Sequence, residues 1–411
     1  MPNYFSPGIY VEEVPSGARP IGAVGTSTPG FVGLAPDGRS RVNEAVALNS
    51  WTDFLRVYAT ADTPTSTPLS QAVFGFFANG GTRCFVVNIG DGGQVAGAGK
   101  RRGGVQVLET VDEVAIVAAP GYTDPATYEA LLAHCELMGD RVAILDPPED
   151  VDDITALTRV ALDKPAKPPA PGAGKPDPGK PDDAAPPADE SLRPRQSDYG
   201  TFYFPWLRVR DPFTGEVVST PPSGYMAGIW ARTDALRGVH KAPANEPVRG
   251  AVDLTYLVTR AEQDVLNPKG VNCIRYFSAE GIRVWGARTL AAEASEWRYI
   301  NVRRLFNTLE KSIAGGTRWM VFEPNDPTLW RSIRRDIGAF LTRVWRDGAL
   351  LGRTPEEAFF VKCDEETNPA DVRDAGMVVA LIGVAVVKPA EFVVFKLSQW
   401  AGGTETETIG G

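Results

Sequence analysis

Apolar and polar positions change rhythm several times along the chain. Three short runs, Arg83 to Ile89 (RCFVVNI), Val114 to Ala118 (VAIVA) and Arg141 to Asp146 (RVAILD), are apolar and rich in β-branched residues, which predicts buried strands. Asp124 to Met138 lies between the last two and carries helical spacing, so this stretch predicts an α/β unit. Residues 92–104 (GGQVAGAGKRRGG) predict a flexible glycine-rich connection, and 105–163 therefore reads as a small separate domain. Farther on, Trp297, Val302, Leu305, Phe306, Leu309 and Ile313 fall on or near one helical stripe, with Gly315 and Gly316 as its stop. Asp326 and Pro327 signal the start of a second helix, in which Trp330, Ile333, Ile337, Phe340, Leu341, Val344 and Trp345 form the apolar face. Met377 to Val387 is the most apolar run and predicts a buried strand; Glu391 to Trp400 (EFVVFKLSQW) is strand-like and is followed by small polar residues.

One segment breaks these rhythms. Residues 164–195 hold ten prolines and almost no large apolar side chains, with six basic against five acidic groups. Such a stretch cannot bury enough surface to offset its ordering entropy and predicts an exposed loop or linker. A length of 411 residues predicts two or three domains. A net charge of -9 disfavours a nucleic-acid coat, which needs a basic surface to neutralise phosphates. No run reaches the ~18 apolar residues that span a bilayer, and the opening MPNYFSPGIYVEEV lacks a basic leader, so assembly in the cytoplasm without stable membrane insertion is expected. Cys84, Cys135, Cys273 and Cys363 are far apart, and with only two histidines in the chain they point to neither a zinc site nor a disulfide scaffold.

Candidate chemistry thins out under the same reading. A phosphate-binding loop needs a glycine five residues before its Gly-Lys pair and a hydroxyl after it. Around Gly99–Lys100 those positions are Gln94 and Arg101, and around Gly174–Lys175 they are Pro169 and Pro176. His134 and Cys135 are adjacent on a helix and point apart, so they do not make a nucleophile and base. Asp146, Glu149, Asp150, Asp152 and Asp153 form a carboxylate cluster open to two accounts, a cation site or a solvated helix start. No catalytic, cofactor or metal residues are assigned, and the chain reads as a structural protein.

FSPGIYVEEVPSGARPIGAV, STPGFVG and LSQAVFGFFANGGTRCFVVNI resemble the N-terminal part of phage-type tail sheath proteins. YFPWLRVRDP, PPSGYMAGIWARTDALRGVHKAPANE, LNPKGVNCIRYF, GIRVWGARTL, WRYINVRRLFNTLE, TRWMVFEPND and KPAEFVVFKLSQ resemble, in order, the core of that family as found in contractile injection systems. The resemblance spans roughly 1–150 and 197–400, and the proline-rich stretch is its main departure. It implies an α+β / α/β multidomain chain with the tail-sheath fold, a mixed-sheet core domain, an inserted smaller α/β outer domain, and extended N- and C-terminal arms. The implied boundaries are an arm at 1–20, core at 21–104, the insert at 105–163, the proline-rich loop at 164–195, continued core at 196–390 and a terminal strand and arm at 391–411. It further implies a six-fold helical homopolymer around an inner tube protein, ending on baseplate and terminal cap proteins, without cofactor or nucleotide. Injection system, phage tail and pyocin-like particle all stay open.

Two sets of residues acquire a role through this resemblance. Family arms add strands to a neighbour's sheet, and Gly8, Ile9, Tyr10, Val11, Glu12, Glu13 and Val14 at one end, with Phe392, Val393, Val394, Phe395, Lys396 and Leu397 at the other, are strand-like segments suited to it. On the second predicted helix, Arg331, Arg335 and Arg346 lie close to one face with Arg334 and Arg343 nearby, which offers a basic surface to an acidic tube or simply a solvated face.

Overall fold

The computed structural model describes residues 20–60, 64–97, 101–161 and 191–392. The first half of the chain lays down β1 (Pro29–Gly33), β2 (Val46–Leu48), α1 (Trp51–Tyr58), α2 (Pro68–Ala78), β3 (Cys84–Asn88), β4 (Ile116–Ala118), α3 (Pro125–Met138) and β5 (Val142–Leu145). After the undescribed 162–190 come β6 (Gly200–Phe204), β7 (Leu207–Arg210), β8 (Val217–Thr220), α4 (Ser223–Arg237), β9 (Glu246–Pro247), β10 (Ala251–Leu254), α5 (Arg260–Leu266), β11 (Val271–Phe277) and β12 (Gly281–Val284). The last part contains α6 (Ile300–Gly316), α7 (Pro327–Arg346), α8 (Pro355–Ala358), β13 (Phe359–Lys362), α9 (Ala370–Asp374) and β14 (Leu381–Val384).

Among the described residues the body is one nine-stranded mixed sheet, ordered β2-β3-β1-β4-β5-β6-β11-β12-β9. Its six central strands, β3 through β11 in that order, are parallel, and the flanking strands run antiparallel. Helices cover both faces, so β1, β3, β5 and β6 are buried at every position, which is why they read as unbroken apolar runs. Phe31, Phe54, Phe76, Tyr203 and Trp230 fill one side of the sheet; Val32, Leu131, Leu145, Phe202 and Cys273 fill the other. On the first side α2 and α4 approach closely, because a Cβ on Gly224 would lie 2.3 Å from Ala72 Cα and one on Gly228 2.5 Å from the Phe76 carbonyl oxygen.

The expected separate domain at 105–163 is corrected by this sheet. β4 and β5 pair with β1 and β6 in its middle, so that span is integral to the core. The glycine-rich connection misled the sequence reading because glycine serves close packing as well as flexibility. Gly104 has φ +55°, and a Cβ there would sit 2.2 Å from the Val95 carbonyl oxygen. The boundary at 195 also moves: Arg193 is buried, donates Nε to Lys269 O at 2.7 Å, and pairs in a parallel bridge with Val160. The two ends of the proline-rich excursion therefore meet.

The sequence placed the helices well and the last strand poorly. α3 begins on Asp124, whose Oδ1 accepts from Thr127 N at 2.9 Å. Trp297 precedes α6 rather than riding on it, its ring edge-on to Phe306 at 4.8 Å, and Gly315 and Gly316 lie within the last turn. The Met377 to Val387 run is a strand only over β14, and it is not buried: Met377 is 51% and Leu381 53% exposed.

Candidate assembly surface

A third apolar cluster lies beyond the large sheet. Leu305 and Leu309 of α6, Leu329, Trp330, Ile333, Ile337, Phe340 and Leu341 of α7, and Ala358 and Cys363 around β13 make a terminal module, into which Ile21 inserts from the other end of the sequence. The module starts sharply because Asp326 Oδ1 accepts from Thr328 N and Leu329 N, each at 2.8 Å, with Pro327 already holding a helical φ. Ion pairs join it to the body. Arg304 of α6 donates Nη1 to Asp234 Oδ1 at 2.9 Å and Nη2 to Oδ2 at 2.6 Å, beneath solvent and over the Trp230 ring. Lys311 Nζ reaches Asp140 Oδ2 at 2.6 Å.

The module carries an antiparallel pair of strands, Phe359 opposite Val384 through Lys362 opposite Leu381. Alternation sorts their side chains: Phe359, Val361, Ile382 and Val384 pack on the module, while Phe360 and Leu381 stand outward, each 53% exposed. Two strands make a marginal sheet, and among the described residues neither outer edge is paired with a further strand. Met377, Val378 and Val379 extend the exposed apolar surface toward the loop before α7, where Phe322 is fully exposed and Asn325 Nδ2 donates to Met377 O at 2.8 Å.

The arginines of α7 divide. Arg334 donates to Cys363 O, and Arg343 Nη2 donates to Ile21 O at 2.6 Å, so these two brace the module internally. Arg331, Arg335 and Arg346 are exposed, as is Arg343 beside its bond to Ile21 O; Arg335 also donates Nε to Asp336 Oδ1 at 2.9 Å. Arg343 and Arg346 complement the carbonyl end of the helix. Helical spacing alone could not separate the groups, because the acceptors of Arg334 and Arg343 come from distant sequence.

Gly8 to Val14 and Val393 to Leu397 lie outside the described residues, and only Phe392 of the expected arms is placed, 73% exposed. The described residues nearest each end of the sequence are fixed by contacts that sequence reasoning missed. On the N-terminal side Val24 N donates to Ser312 Oγ at 3.1 Å, Thr26 Oγ1 to Asp234 Oδ2 at 2.6 Å, and Arg304 Nη2 to Thr26 O at 3.0 Å. On the C-terminal side the Glu391 carboxylate is held by Arg288, Asn267 and Tyr299, and the Arg288 guanidinium and Asn267 amide keep it below the usual carboxylate range against the cost of burial. Nothing local signals these pairs, since Glu391 and Arg288 are 103 positions apart.

The chemistry weighed from sequence has a structural home. Burial pushes the Cys135 thiol well up, and His134 Nε2 lies 3.4 Å from Arg141 Nη1, so that burial and this guanidinium push the imidazole down to about 4. Asp146 separates from the other carboxylates: it is buried, accepts from Ser223 N at 2.8 Å, Ser223 Oγ at 2.6 Å and Gly121 N at 3.2 Å, and burial pushes it up to about 7. It fastens the start of α4 to the sheet. Glu149, Asp150, Asp152 and Asp153 are not buried, and Asp153 caps a short 3-10 turn through Thr155 N. Among the described residues no three metal-binding side chains converge. At the reversal of strand order between β1 and β4, a Cβ on Gly33 would touch Leu69 and Tyr122 at 3.4 Å, so both side chains pack against the end of β1.

Two family descriptions match the chain: the phage tail sheath protein central domain over residues 104–290 and the phage tail sheath C-terminal domain over 292–399. Among solved structures, the PVC sheath of an extracellular contractile injection system in the contracted state is 29% identical, with 98% of this chain and 99% of that chain covered and a TM-score of 0.75. The helical sheath of the anti-feeding prophage in the contracted state is 31% identical over 96% of this chain and 99% of that one, with a TM-score of 0.72. The tail sheath protein of Vibrio phage KVP40 is 34% identical over 176 residues, 42% of this chain and 25% of that protein. A prophage major tail sheath protein of Pseudomonas aeruginosa is 27% identical over 48% of this chain and 51% of its own length. The match thus spans between a quarter and half of these phage-type relatives.

Proposed function

This chain belongs to the phage tail sheath family, and on that premise we propose that it is the repeating sheath subunit of a contractile injection particle, polymerised in an extended metastable state around an inner tube and contracting to drive that tube through a target envelope. The observation that carries the reading is the full-length likeness to sheaths of stand-alone particles, in which nearly all of both chains is covered. A phage tail or pyocin-like sheath is the second reading, supported by the phage relatives over less than half of this chain. Work in such a particle comes from packing laid down at assembly.

Linkage between subunits runs through the terminal arms in this proposal. A two-stranded sheet with open edges and outward Phe360 and Leu381 is a suitable acceptor, because an added strand satisfies ladder groups and covers apolar surface at once. The exposed Arg331, Arg335, Arg343 and Arg346 face an acidic inner tube in this reading, with the half-buried Arg334, bonded to Cys363 O, behind them. Each exposed pair is worth at most ~1 kcal/mol, so a tube held by many such contacts can be released cooperatively. Baseplate and terminal cap proteins close the two ends of the polymer.

Electron microscopy of the purified protein tests the assignment. Long tubes are expected; small closed oligomers would remove it. Deleting residues 1–16 should leave a folded body that does not polymerise, and normal tubes from that truncation would show that the N-terminal arm is not a link.

A further inference from the structure

Glu391 is the last strongly fixed residue before the C-terminal strand segment. Its Oε1 accepts from Arg288 Nε at 2.9 Å and Asn267 Nδ2 at 2.7 Å, and its Oε2 accepts from Arg288 Nη2 at 2.8 Å and Tyr299 Oη at 3.1 Å. Arg288 is itself buried and committed: its N–H donates to Asn272 Oδ1 at 2.7 Å and its Nη1 to Asn267 O at 3.2 Å. One residue later Phe392 is 73% exposed. The change from a four-bonded carboxylate to an exposed side chain takes a single step along the backbone.

Two of the three donors come from around the large sheet, and the third, Tyr299, from the start of α6, where the module joins the body. Asn267 precedes β11, Arg288 follows β12, and Tyr299 caps α6 while bridging Arg288. The chain shortly before Glu391 still belongs to the module, where Leu350 bridges Val386 and Val387 N donates to Ala349 O at 3.4 Å. Between Val387 and Glu391 it therefore crosses from the module that carries the open β13–β14 pair to the body that carries the sheet.

We propose that the Glu391 clamp is a positioning device for subunit linkage: it fixes where the C-terminal segment leaves the large sheet domain, so that the donated strand is referenced to one part of the subunit and the accepting strand pair to another. This rests on the reading of residues 393–411 as a linking arm. The offset between the accepting strand pair and the point where the segment departs is then set by the body. A carboxylate caged by a bidentate arginine gives directional restraint that an apolar contact at the same place would not.

Full-length Glu391→Ala and Glu391→Gln variants test it. Hydrogen exchange on the unassembled subunit should speed up at the Arg288 and Val387 amides, which donate to Asn272 Oδ1 and Ala349 O on either side of the clamp, by about tenfold to hundredfold in the alanine variant, the value of losing charge-assisted hydrogen bonds, with the glutamine variant between it and the parent. Protection in β3, β5 and α7 should stay the same in both. Tubes from the alanine variant should be short or irregular in electron micrographs, and those from the glutamine variant intermediate. Unchanged exchange at Arg288 and Val387, or alanine-variant tubes of normal length and helical order, overturns the clamp. If the alanine variant loses protection throughout, the glutamine variant decides on the same two readouts. A truncation after Phe392 separates the underlying reading: if it polymerises normally, the C-terminal segment is not a link at all, whereas a truncation that fails beside a normal alanine variant removes only the clamp.

Discussion

Replacing Asp234 by alanine is the most informative single change to the subunit, because it isolates the ion pair through which the terminal module meets the body. Arg304 is 3% exposed and Asp234 6%, and their contact is bidentate at 2.9 and 2.6 Å. Without the carboxylate, Arg304 keeps only Thr26 O and the face of Trp230, whose ring centroid lies 4.6 Å from its Cζ, while Thr26 Oγ1 loses its acceptor. Breaking one side of a buried pair typically costs ~3–5 kcal/mol, mostly the penalty of the stranded charge. Urea unfolding of the unassembled subunit by tryptophan fluorescence should register a loss of that size. Trp230 also offers a local signal, since the cation lies over its ring. The double variant Asp234→Leu with Arg304→Met removes charge and counter-charge together, and should be nearer the parent than Asp234→Ala. A loss below ~1 kcal/mol for the single variant, or a double variant worse than the single, would refute the account of this contact as a mutually dependent pair.

The remaining predictions test other levels of the structure. Because His134 is held near 4 in the folded chain against 6.5 when unfolded, the unfolded state takes up its proton first; the stability this histidine contributes is complete above pH 6.5 and lost as pH falls toward 4, by at most ~3 kcal/mol, a slope that His134→Gln should remove from parallel melting curves. Gly228→Ala should destabilise by ~1–3 kcal/mol in chemical denaturation because its Cβ meets backbone of α2, and a neutral result would mean that the two helices separate freely. Charge reversal of Arg331 and Arg335 to Glu should give sheath that is empty or already contracted, and extended tube-filled particles would take α7 off the list of tube contacts. Removing residues 166–190 should leave tube formation intact, since Val160 and Arg193 already pair; loss of tubes would make that segment an interface.

What the sequence carried was local or periodic. α7 was readable from end to end because Asp326, Pro327 and the stripe from Trp330 to Leu341 are all signals within one helix. β3 and β5 were readable because both faces are covered. The position of residues 105–163 was not, since pairing of β4 with β1 and β5 with β6 is a matter of register between distant segments. The Met377 run shows a different limit: apolar composition says that a segment is to be covered, but not by which chain. The division of the α7 arginines and the Glu391 clamp were invisible for a related reason, as their partners lie 29, 322 and 103 positions away.

The place of Ile21 bears on when a subunit becomes competent. Its side chain is 1% exposed within a cluster made by α6, α7 and the β13 region, and Arg343 holds its carbonyl. A nascent polypeptide emerging from the ribosome has made Ile21 long before any of those elements exists, so its pocket is missing during most of synthesis. Only after α7 has been translated and has packed on α6 does the pocket close around Ile21. Contacts of such long sequence separation form late, so the burial of Ile21 marks a chain whose terminal module is complete.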